Sequence, residues 1–366
     1  MTDRVRIGIA GCGAITQSVH VPLLARRADV VVHALVDADP DALAAANVRC
    51  AGARPYATLD DMLAESPPDA VIVALPTAAH AAAATAVLEA GCDLYLEKPL
   101  AACLAEGETV VDSWRASGRI AMVGFNARFN PLILQLRELI HSGRAGDPVY
   151  VRSVFATAPR AMPEWKRHRA TGGGALLDLG VHHIDLIRSL FGREFVSVRA
   201  TLEPRASDED TVLLELELDG GPRVHGFFSL AAAEHDGIDV YGDRARLSVS
   251  RFTSLAVTVT DNPGLGGGSI RRLARRAGAL RNLSTAARVR RAPLREPGYA
   301  VALDRFVAAV RTRRLAAEAA DPADGLACLA VVDAAERSAA SGRVESIAGR
   351  RTPARAAGSG ATDDRA

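Results

Sequence analysis

The sequence predicts a two-domain α/β protein: an N-terminal doubly wound parallel sheet, then an α/β domain with a large, mostly antiparallel open sheet. Three observations carry this. The apolar run Val5-Arg6-Ile7-Gly8-Ile9-Ala10 enters the glycine turn Gly11-Cys12-Gly13, and helix and strand patterns alternate after it. The run Asp69-Ala70-Val71-Ile72-Val73-Ala74-Leu75 is continuous and β-branched, as a strand covered on both faces must be. From Val149 the texture changes to period two, clearest in Leu214-Glu215-Leu216-Glu217-Leu218. A length of 366 residues is enough for two separate cores.

Taken in order, the glycine turn comes first. Gly11 can turn sharply off the strand, and Gly13 leaves no Cβ between the backbone and a pyrophosphate lying on the amides of the helix that follows. Thr16 stands where a smaller residue is usual, and an ordinary strand-to-helix turn also fits the pattern. Asp37 closes a second strand, Val30-Val31-Val32-His33-Ala34-Leu35-Val36, where a carboxylate can accept from both hydroxyls of an adenosine ribose and repel a 2′-phosphate. No Lys or Arg follows in Ala38-Asp39-Pro40-Asp41, so NAD is favoured over NADP.

A crossover helix over 18–27, a helix opening at Pro40, a short strand at Pro55-Tyr56-Ala57 and a Thr58-capped helix continue the alternation. Leu75 ends the β-branched strand and leads into Pro76-Thr77-Ala78-Ala79-His80, a loop on the edge where doubly wound sheets bind ligands. A helix over 80–90 stops at Gly91 and hands over to Asp93-Leu94-Tyr95-Leu96, which runs into Glu97-Lys98-Pro99. A lysine at that strand end, held by a proline, can orient and polarise a substrate oxygen; a solvated surface turn fits as well. A helix over 104–118 and a strand over 120–124 complete the sheet, giving a first domain of residues 1–125.

Beyond Asn126-Ala127-Arg128-Phe129-Asn130-Pro131 lie a helix over 132–142 and candidate strands at 149–155, 195–202, 211–218, 223–230, 237–241, 246–250 and 255–260. Asp219-Gly220-Gly221-Pro222 reads as a hairpin. Helices follow from Pro297-Gly298-Tyr299 and from Asp321-Pro322, which gives a second domain of 126–345 and a tail of 346–366 without apolar period, expected to be disordered.

Composition narrows the function classes. A formal net charge of +1 gives no global case for nucleic acid or membrane, and no apolar run approaches the roughly 20 residues that span a bilayer. The first strand begins too early for a signal peptide, so a cytoplasmic protein is expected. The five cysteines form no CxxC pair or metal-spaced set, so neither a disulfide framework nor a structural zinc is expected. Cys12 reads as a small filler, with a reactive thiolate as the alternative.

The chemistry concentrates in Gly172-Gly173-Gly174-Ala175-Leu176-Leu177-Asp178-Leu179-Gly180-Val181-His182-His183-Ile184-Asp185. The glycines are expected to bring backbone close to a ligand. Asp178 and His182, four apart, share one helix face, with Asp185 a turn further on and His183 pointing elsewhere. An imidazole suits a residue that takes a hydroxyl proton in oxidation and returns it in reduction. The same spacing fits a helix with a satisfied core histidine, and Asp178, His182, His183 and Asp185 are also possible metal ligands, although no closed set is matched.

Together these residues resemble the Gfo/Idh/MocA oxidoreductases. Four signatures fall in that family's order: Gly11-x-Gly13 with Asp37, Pro76-Thr77-x-x-His80, Glu97-Lys98-Pro99, and Gly172-Gly173-Gly174-x-Leu176-x-Asp178-x-Gly180-x-His182-x-x-Asp185. The resemblance implies a Rossmann domain with a nicotinamide at its border with the second domain, and a catalytic group of Lys98, Asp178 and His182. In it, His182 is the acid/base, Lys98 the polarising cation and Asp178 their partner. Cofactor contacts are expected at Gly11, Gly13, Ala14, Ile15, Asp37, Leu75, Pro76, Thr77, His80, Glu97 and Lys98. Substrate contacts are expected at Lys98, Arg128, Trp165, Asp178 and His182, within second-domain strands and the stretch Ala161-Met162-Pro163-Glu164-Trp165-Lys166-Arg167-His168-Arg169.

The implied substrate is a sugar, cyclitol or nucleotide-linked sugar, and the implied assembly a homodimer or homotetramer. Two other classes stay open, a hydrolase of the same fold that cycles tightly held NAD and a non-enzymatic nucleotide sensor; the joint presence of Lys98, Asp178 and His182 argues against the second. Ala245, where a second glycine is usual in Gly242-Asp243-Arg244-Ala245, touches only a turn. Residues 262–296 match no family element. Nine arginines and no acid between Arg271 and Arg295 fit a solvated segment, an arm gripping a phosphorylated or nucleotide-linked sugar, or, without interleaved aromatics, least well a nucleic-acid patch.

Overall fold

The computed structural model describes residues 4–50, 52–262 and 292–347. Most of the arginine-rich segment and the tail from 348 on therefore lie outside the described residues.

Six parallel strands form the first sheet: β1 (Val5–Ala10), β2 (Val30–Val36), β3 (Arg54–Tyr56), β4 (Ala70–Val73), β5 (Asp93–Leu96) and β6 (Ala121–Val123), in the order β3-β2-β1-β4-β5-β6. The order reverses between β1 and β4, so the ends of those two strands flank the crevice where such sheets bind dinucleotides. β4 and β5 are buried at every position, as their unbroken apolar runs require. The connecting helices are α1 (Val21–Leu24), α2 (Pro40–Asn47), α3 (Leu59–Glu65), α4 (His80–Glu89) and α5 (Leu104–Ser117). Asp39 and Thr58 cap α2 and α3 with their side chains.

The first crossover differs from a regular helix over 18–27. Residues Thr16–His20 form a wide turn in which the Val21 N–H returns to Thr16 O, and α1 follows with Pro22 in its first turn. Proline has no N–H to close the regular ladder, and the wider turn resets it there.

Among the described residues the second sheet has eight strands: β7 (Pro148–Ala156), β8 (Phe195–Glu203), β9 (Thr211–Leu218), β10 (Arg223–Ser229), β11 (His235–Gly242), β12 (Ala245–Ser250), β13 (Thr258–Asp261) and β14 (Glu345–Ser346). Their order is β13-β12-β11-β7-β10-β9-β8-β14, antiparallel throughout except for β7 beside β10. β14 has no counterpart among the predicted strands: two residues, of which one falls in the expected tail, are too few for a periodicity. The helices of this half are α6 (Pro131–His141), α7 (Glu164–Arg167) and α8 (Val181–Phe191).

Two further helices, α9 (Gly298–Thr312) and α10 (Pro322–Ser341), return to the first sheet. Leu303, Phe306 and Val307 of α9 share a core with Ile7, Ile9, Ile72 and Tyr95, and the Tyr95 and Phe306 rings meet edge to face at 5.5 Å. The α10 helix, started by a capping box between Asp321 and Asp324, packs on both α5 and β8.

Candidate active site

The glycine turn after β1 is built for two different purposes. Gly11 has φ 95°, and a Cβ there would lie 2.4 Å from the Ala74 carbonyl oxygen, so only glycine lets β1 turn against the end of β4. Gly13 is exposed, with nothing within 4 Å of where its Cβ would be. Beside it, Ala14 is exposed and Ile15 half-buried. That open approach to the start of a helix is what a pyrophosphate needs, and the residues present fit a dinucleotide. Thr16, the residue that departs from the usual pattern, is fully buried and its hydroxyl donates to Gly11 O at 2.5 Å. Its size therefore braces the turn.

At the end of β2, Asp37 accepts from the Cys12 N–H at 2.6 Å and from the Asp39 N–H at 2.9 Å. Two backbone donors hold the carboxylate beside the glycine turn, in the place from which it can meet a ribose. Cys12 is a filler: burial, then the charge of Asp37, pushes its thiol up to about 12, so it is no reactive thiolate.

Leu75 is half-buried and Pro76 exposed where β4 ends, whereas Thr77 is buried with its side chain against Gly172. His80, expected at the cofactor, holds two loops together instead. Its Nδ1 lies 2.7 Å from Pro99 O and its Nε2 2.9 Å from Leu75 O, so neither nitrogen is left for a ligand. Burial pulls its imidazole below the usual value although both carbonyls favour the charged form. Glu97 is buried too, 2.9 Å from Nε2 of the fully buried His20. This pair ties the first crossover to the strand end that presents Lys98.

The structure brings Lys98, Asp178 and His182 together. Lys98 Nζ donates to Asp178 O at 2.6 Å and to Asp178 Oδ1 at 3.0 Å. Asp178 lies in a second wide turn, Leu176–Gly180, where the Val181 N–H returns to Leu176 O, and His182 follows in the first turn of α8. Burial alone would raise the Asp178 carboxyl, but Lys98 and a second ammonium, Lys166, overcome it and hold it well below the usual carboxylate range. For Lys98 the balance falls the other way, with desolvation pulling it below its usual value despite Asp178. Desolvation, reinforced by Lys98 and Arg251, holds His182 well below 6.5, so it is neutral near pH 7. Its Nδ1 is enclosed without a hydrogen-bond partner among the described residues, while the residue as a whole is only half-buried. The nitrogen open to a substrate is therefore Nε2.

Lys166 was not singled out by sequence reasoning. It sits on α7 with Nζ 3.1 Å from Asp178 Oδ1 and 3.3 Å from Oδ2. Its only sequence signal is its place beside Trp165 in the stretch before the glycines, and Trp165 is half-buried with Nζ 5.3 Å from its ring. The glycines of 172–174 also differ from expectation. A Cβ on Gly172, at φ 89°, would lie 2.5 Å from Thr77 Cβ, and one on Gly173 would lie 2.3 Å from Lys166 O. These two glycines bring chain against chain, docking the Pro76-Thr77 loop and the Lys166 segment onto the turn that carries Asp178.

Arg128, expected at the substrate, is a buried structural cation. Its guanidinium grips Asp185 at 2.5 and 2.7 Å and reaches Asp324 of α10 at 3.2 Å, so the carboxylate one turn beyond His182 is engaged there. His183 points away from His182's partners, as expected, into another buried set: Nδ1 lies 2.6 Å from Ser153 Oγ, Nε2 3.2 Å from Asp236 Oδ1, and Arg251 joins Asp236 to Glu296. Among the described residues no group of three or more His, Cys, Asp or Glu is placed to hold a metal ion.

A reversing parallel sheet, a glycine turn with open approach and a half-buried lysine, carboxylate and imidazole fit the class of NAD-binding oxidoreductases. The chain belongs to the Gfo/Idh/MocA family. Residues 5–125 match the profile of the oxidoreductase family's NAD-binding Rossmann fold, and residues 133–248 match that of the GFO/IDH/MocA C-terminal domain. Inositol 2-dehydrogenase of Rhizobium meliloti (strain 1021) is 30% identical over 94% of this chain and 99% of its own length. The rhizopine catabolism protein MocA of Rhizobium meliloti is 32% identical over 60% of this chain and 69% of its own. Among solved structures, a putative myo-inositol dehydrogenase from Sinorhizobium meliloti 1021 superposes with TM-score 0.74 at 27% identity, covering 94% of this chain and all of that one. The WlbA dehydrogenase from Bordetella pertussis, solved with NADH and UDP-GlcNAcA, superposes with TM-score 0.80 at 24% identity, covering 94% of this chain and 98% of that one, and shares the fold. No helix among the described residues is long and apolar enough to cross a membrane.

Proposed function

We propose that the chain is an NAD-dependent dehydrogenase or reductase acting between a ring hydroxyl and the corresponding keto carbon of a sugar, cyclitol or nucleotide-linked sugar. The observation that carries this is the Lys98–Asp178 contact at 3.0 Å, one helical turn from a neutral, half-buried His182. When bound, NAD supplies the hydride acceptor, and its reduced form the donor. His182 Nε2 takes the proton of the reacting hydroxyl in oxidation and gives one to the forming hydroxyl in reduction. Lys98 donates to the same oxygen and stabilises negative charge that develops on it. Asp178 fixes the ammonium's direction and offsets its charge.

Asp37 supports NAD over NADP, because a 2′-phosphate would meet its carboxylate. We assign the uncovered face of the second sheet, where Tyr150, Val154, Leu213 and Phe227 line a broad concavity, to contact with another copy in a homodimer or homotetramer. The test of the activity is nicotinamide absorbance on mixing purified protein with NAD or NADP and a panel of cyclitols, free sugars and nucleotide sugars. Turnover that disappears in Lys98→Ala is the expected result. Turnover that Lys98→Ala retains would remove the assignment of roles.

A further inference from the structure

Asp178 is held by two ammonium groups where its partnership with Lys98 needs one. Lys98 spends two donors on Asp178, one on its carbonyl and one on Oδ1, and leaves a third for a substrate oxygen. Lys166 straddles both oxygens of the same carboxylate at 3.1 and 3.3 Å. Its cationic neighbours meet other carboxylates: Arg167 lies 3.9 Å from Glu164, which also bonds His168, His168 meets Asp208 besides, and Arg169 reaches Glu336 at 2.5 Å. Glu97, the other acid at this corner, is 2.9 Å from His20, and its charge also favours the ammonium of Lys98, whereas Lys166 meets only Asp178 among the described acids. Lys98 and Lys166 meet at the one carboxylate of Asp178.

The position of Lys166 is built into the backbone. Gly173 brings the catalytic turn so close to Lys166 O that even a Cβ would not fit between them, and its ammonium faces Asp178 from the side of the Trp165 ring. The Lys166 side chain is 30% exposed, against 15% for Lys98 and 13% for Asp178, so it is the solvent-accessible member of the three. A ligand that covers the site takes that access away, and the oxidised nicotinamide brings another positive charge. A neutral polyol would leave Lys166 with no more than its share of the Asp178 carboxylate in a closed pocket, which is costly. A carboxylate removes the deficit, and one ammonium with one free N–H suits a carboxylate better than a phosphate dianion, which calls for several donors.

We propose that Lys166 reads a carboxylate on the substrate, so that the preferred substrate is an acidic sugar of the uronate class, its ring held by Trp165 and its reacting hydroxyl by Lys98 and His182. The inference rests on the dehydrogenase reading, and it is tested so that the two fail separately. The NAD-loaded full-length protein is assayed with D-glucuronate against D-glucose and UDP-glucuronate against UDP-glucose, with myo-inositol as the neutral cyclitol. Wild type, Lys166→Met and Lys166→Arg are compared. In parallel, the thermal shift of each NADH-bound protein is measured with the same ligands, a readout that needs no turnover.

Wild type is expected to favour the acid over its neutral counterpart by about tenfold or more in kcat/KM, the size of one charge-assisted hydrogen bond. Lys166→Met should lose that preference through KM, and Lys166→Arg should recover part of it. A preference for the neutral sugar, or an acid-to-neutral ratio that Lys166→Met does not move, overturns the assignment. Selective stabilisation by the acid that vanishes in Lys166→Met, without turnover of any ligand, would retain the anion site and overturn the dehydrogenase reading. Absence of any acid preference in both assays overturns the anion site whatever the enzyme turns over.

Discussion

The chain uses one local design twice and for different ends. In each half a glycine turn runs into a wide helical turn and then a regular helix: Gly11 to Gly13 before Thr16–His20, and Gly172 to Gly174 before Leu176–Gly180. In the first, Gly13 faces open space; in the second, Gly172 and Gly173 face Thr77 and the Lys166 carbonyl. The first turn is open to a ligand's phosphates, and the second is packed against the protein so that three side chains converge. Glycine in a motif therefore says that something comes close, and the surroundings decide whether it is a ligand or the chain itself.

That contrast can be tested from its strongest consequence downward. His182→Ala should lower turnover by about a thousandfold, the range of a lost acid/base, while NADH affinity in a fluorescence titration stays as it was. Equal losses in affinity and rate would erase the division of labour between the turns. Next comes Gly173→Ala, whose Cβ must displace backbone; it should cost about 3 kcal/mol in chemical denaturation. Gly13→Ala should leave that denaturation curve in place without cofactor and weaken NAD binding about tenfold, or about 1.4 kcal/mol. If Gly13→Ala proved the more destabilising of the pair, the two turns would have been assigned the wrong way round. A smaller effect is expected at Thr16→Val, which strands a buried Gly11 carbonyl and should cost about 1 kcal/mol.

The titration of His182 sharpens the same comparison. With an ordinary imidazole, kcat/KM for oxidation would fall as pH drops through about 6.5, because the base becomes protonated. Burial and the Lys98 and Arg251 charges depress the value, so protonation requires more acid. The profile should stay level through 6.5 and decline only at lower pH. A limb at 6.5 would show a solvated histidine outside this cluster. For the first turn, Asp37→Ser should move the NADP to NAD ratio of kcat/KM toward NADP, and an unchanged ratio would mean that the carboxylate does not face the ribose.

Much of this was legible in the chain itself, for identifiable reasons. Period two exposed the second sheet, because regular strands repeat their side-chain directions; the four-residue spacing of Asp178 and His182 also keeps them near each other, although the turn that carries Asp178 is wider than a regular helix. The partners of a side chain carry no such period. Nothing in Arg128 distinguishes a cation that reaches a substrate from one that locks Asp185 and Asp324, and nothing in His80 shows that both nitrogens meet carbonyls. Lys166 meets Asp178 where Gly173 permits a close backbone approach, a tertiary fact. The three readings of the arginine-rich segment, solvated, anion-gripping or a nucleic-acid patch, fall mostly outside the described residues.

The return of α9 and α10 to the first sheet means that order along the chain and units of cooperative unfolding do not coincide. Leu303, Phe306 and Val307 finish a core begun by Ile7 and Tyr95, and the Val123 N–H donates to Ala320 O at 2.9 Å. A fragment ending near residue 125 would present that apolar surface to water and lack the Phe306 ring that packs on Tyr95. Gene fusions, truncations or module swaps that cut at the apparent border would therefore yield an aggregating half-protein, whereas the intact chain should melt in one step.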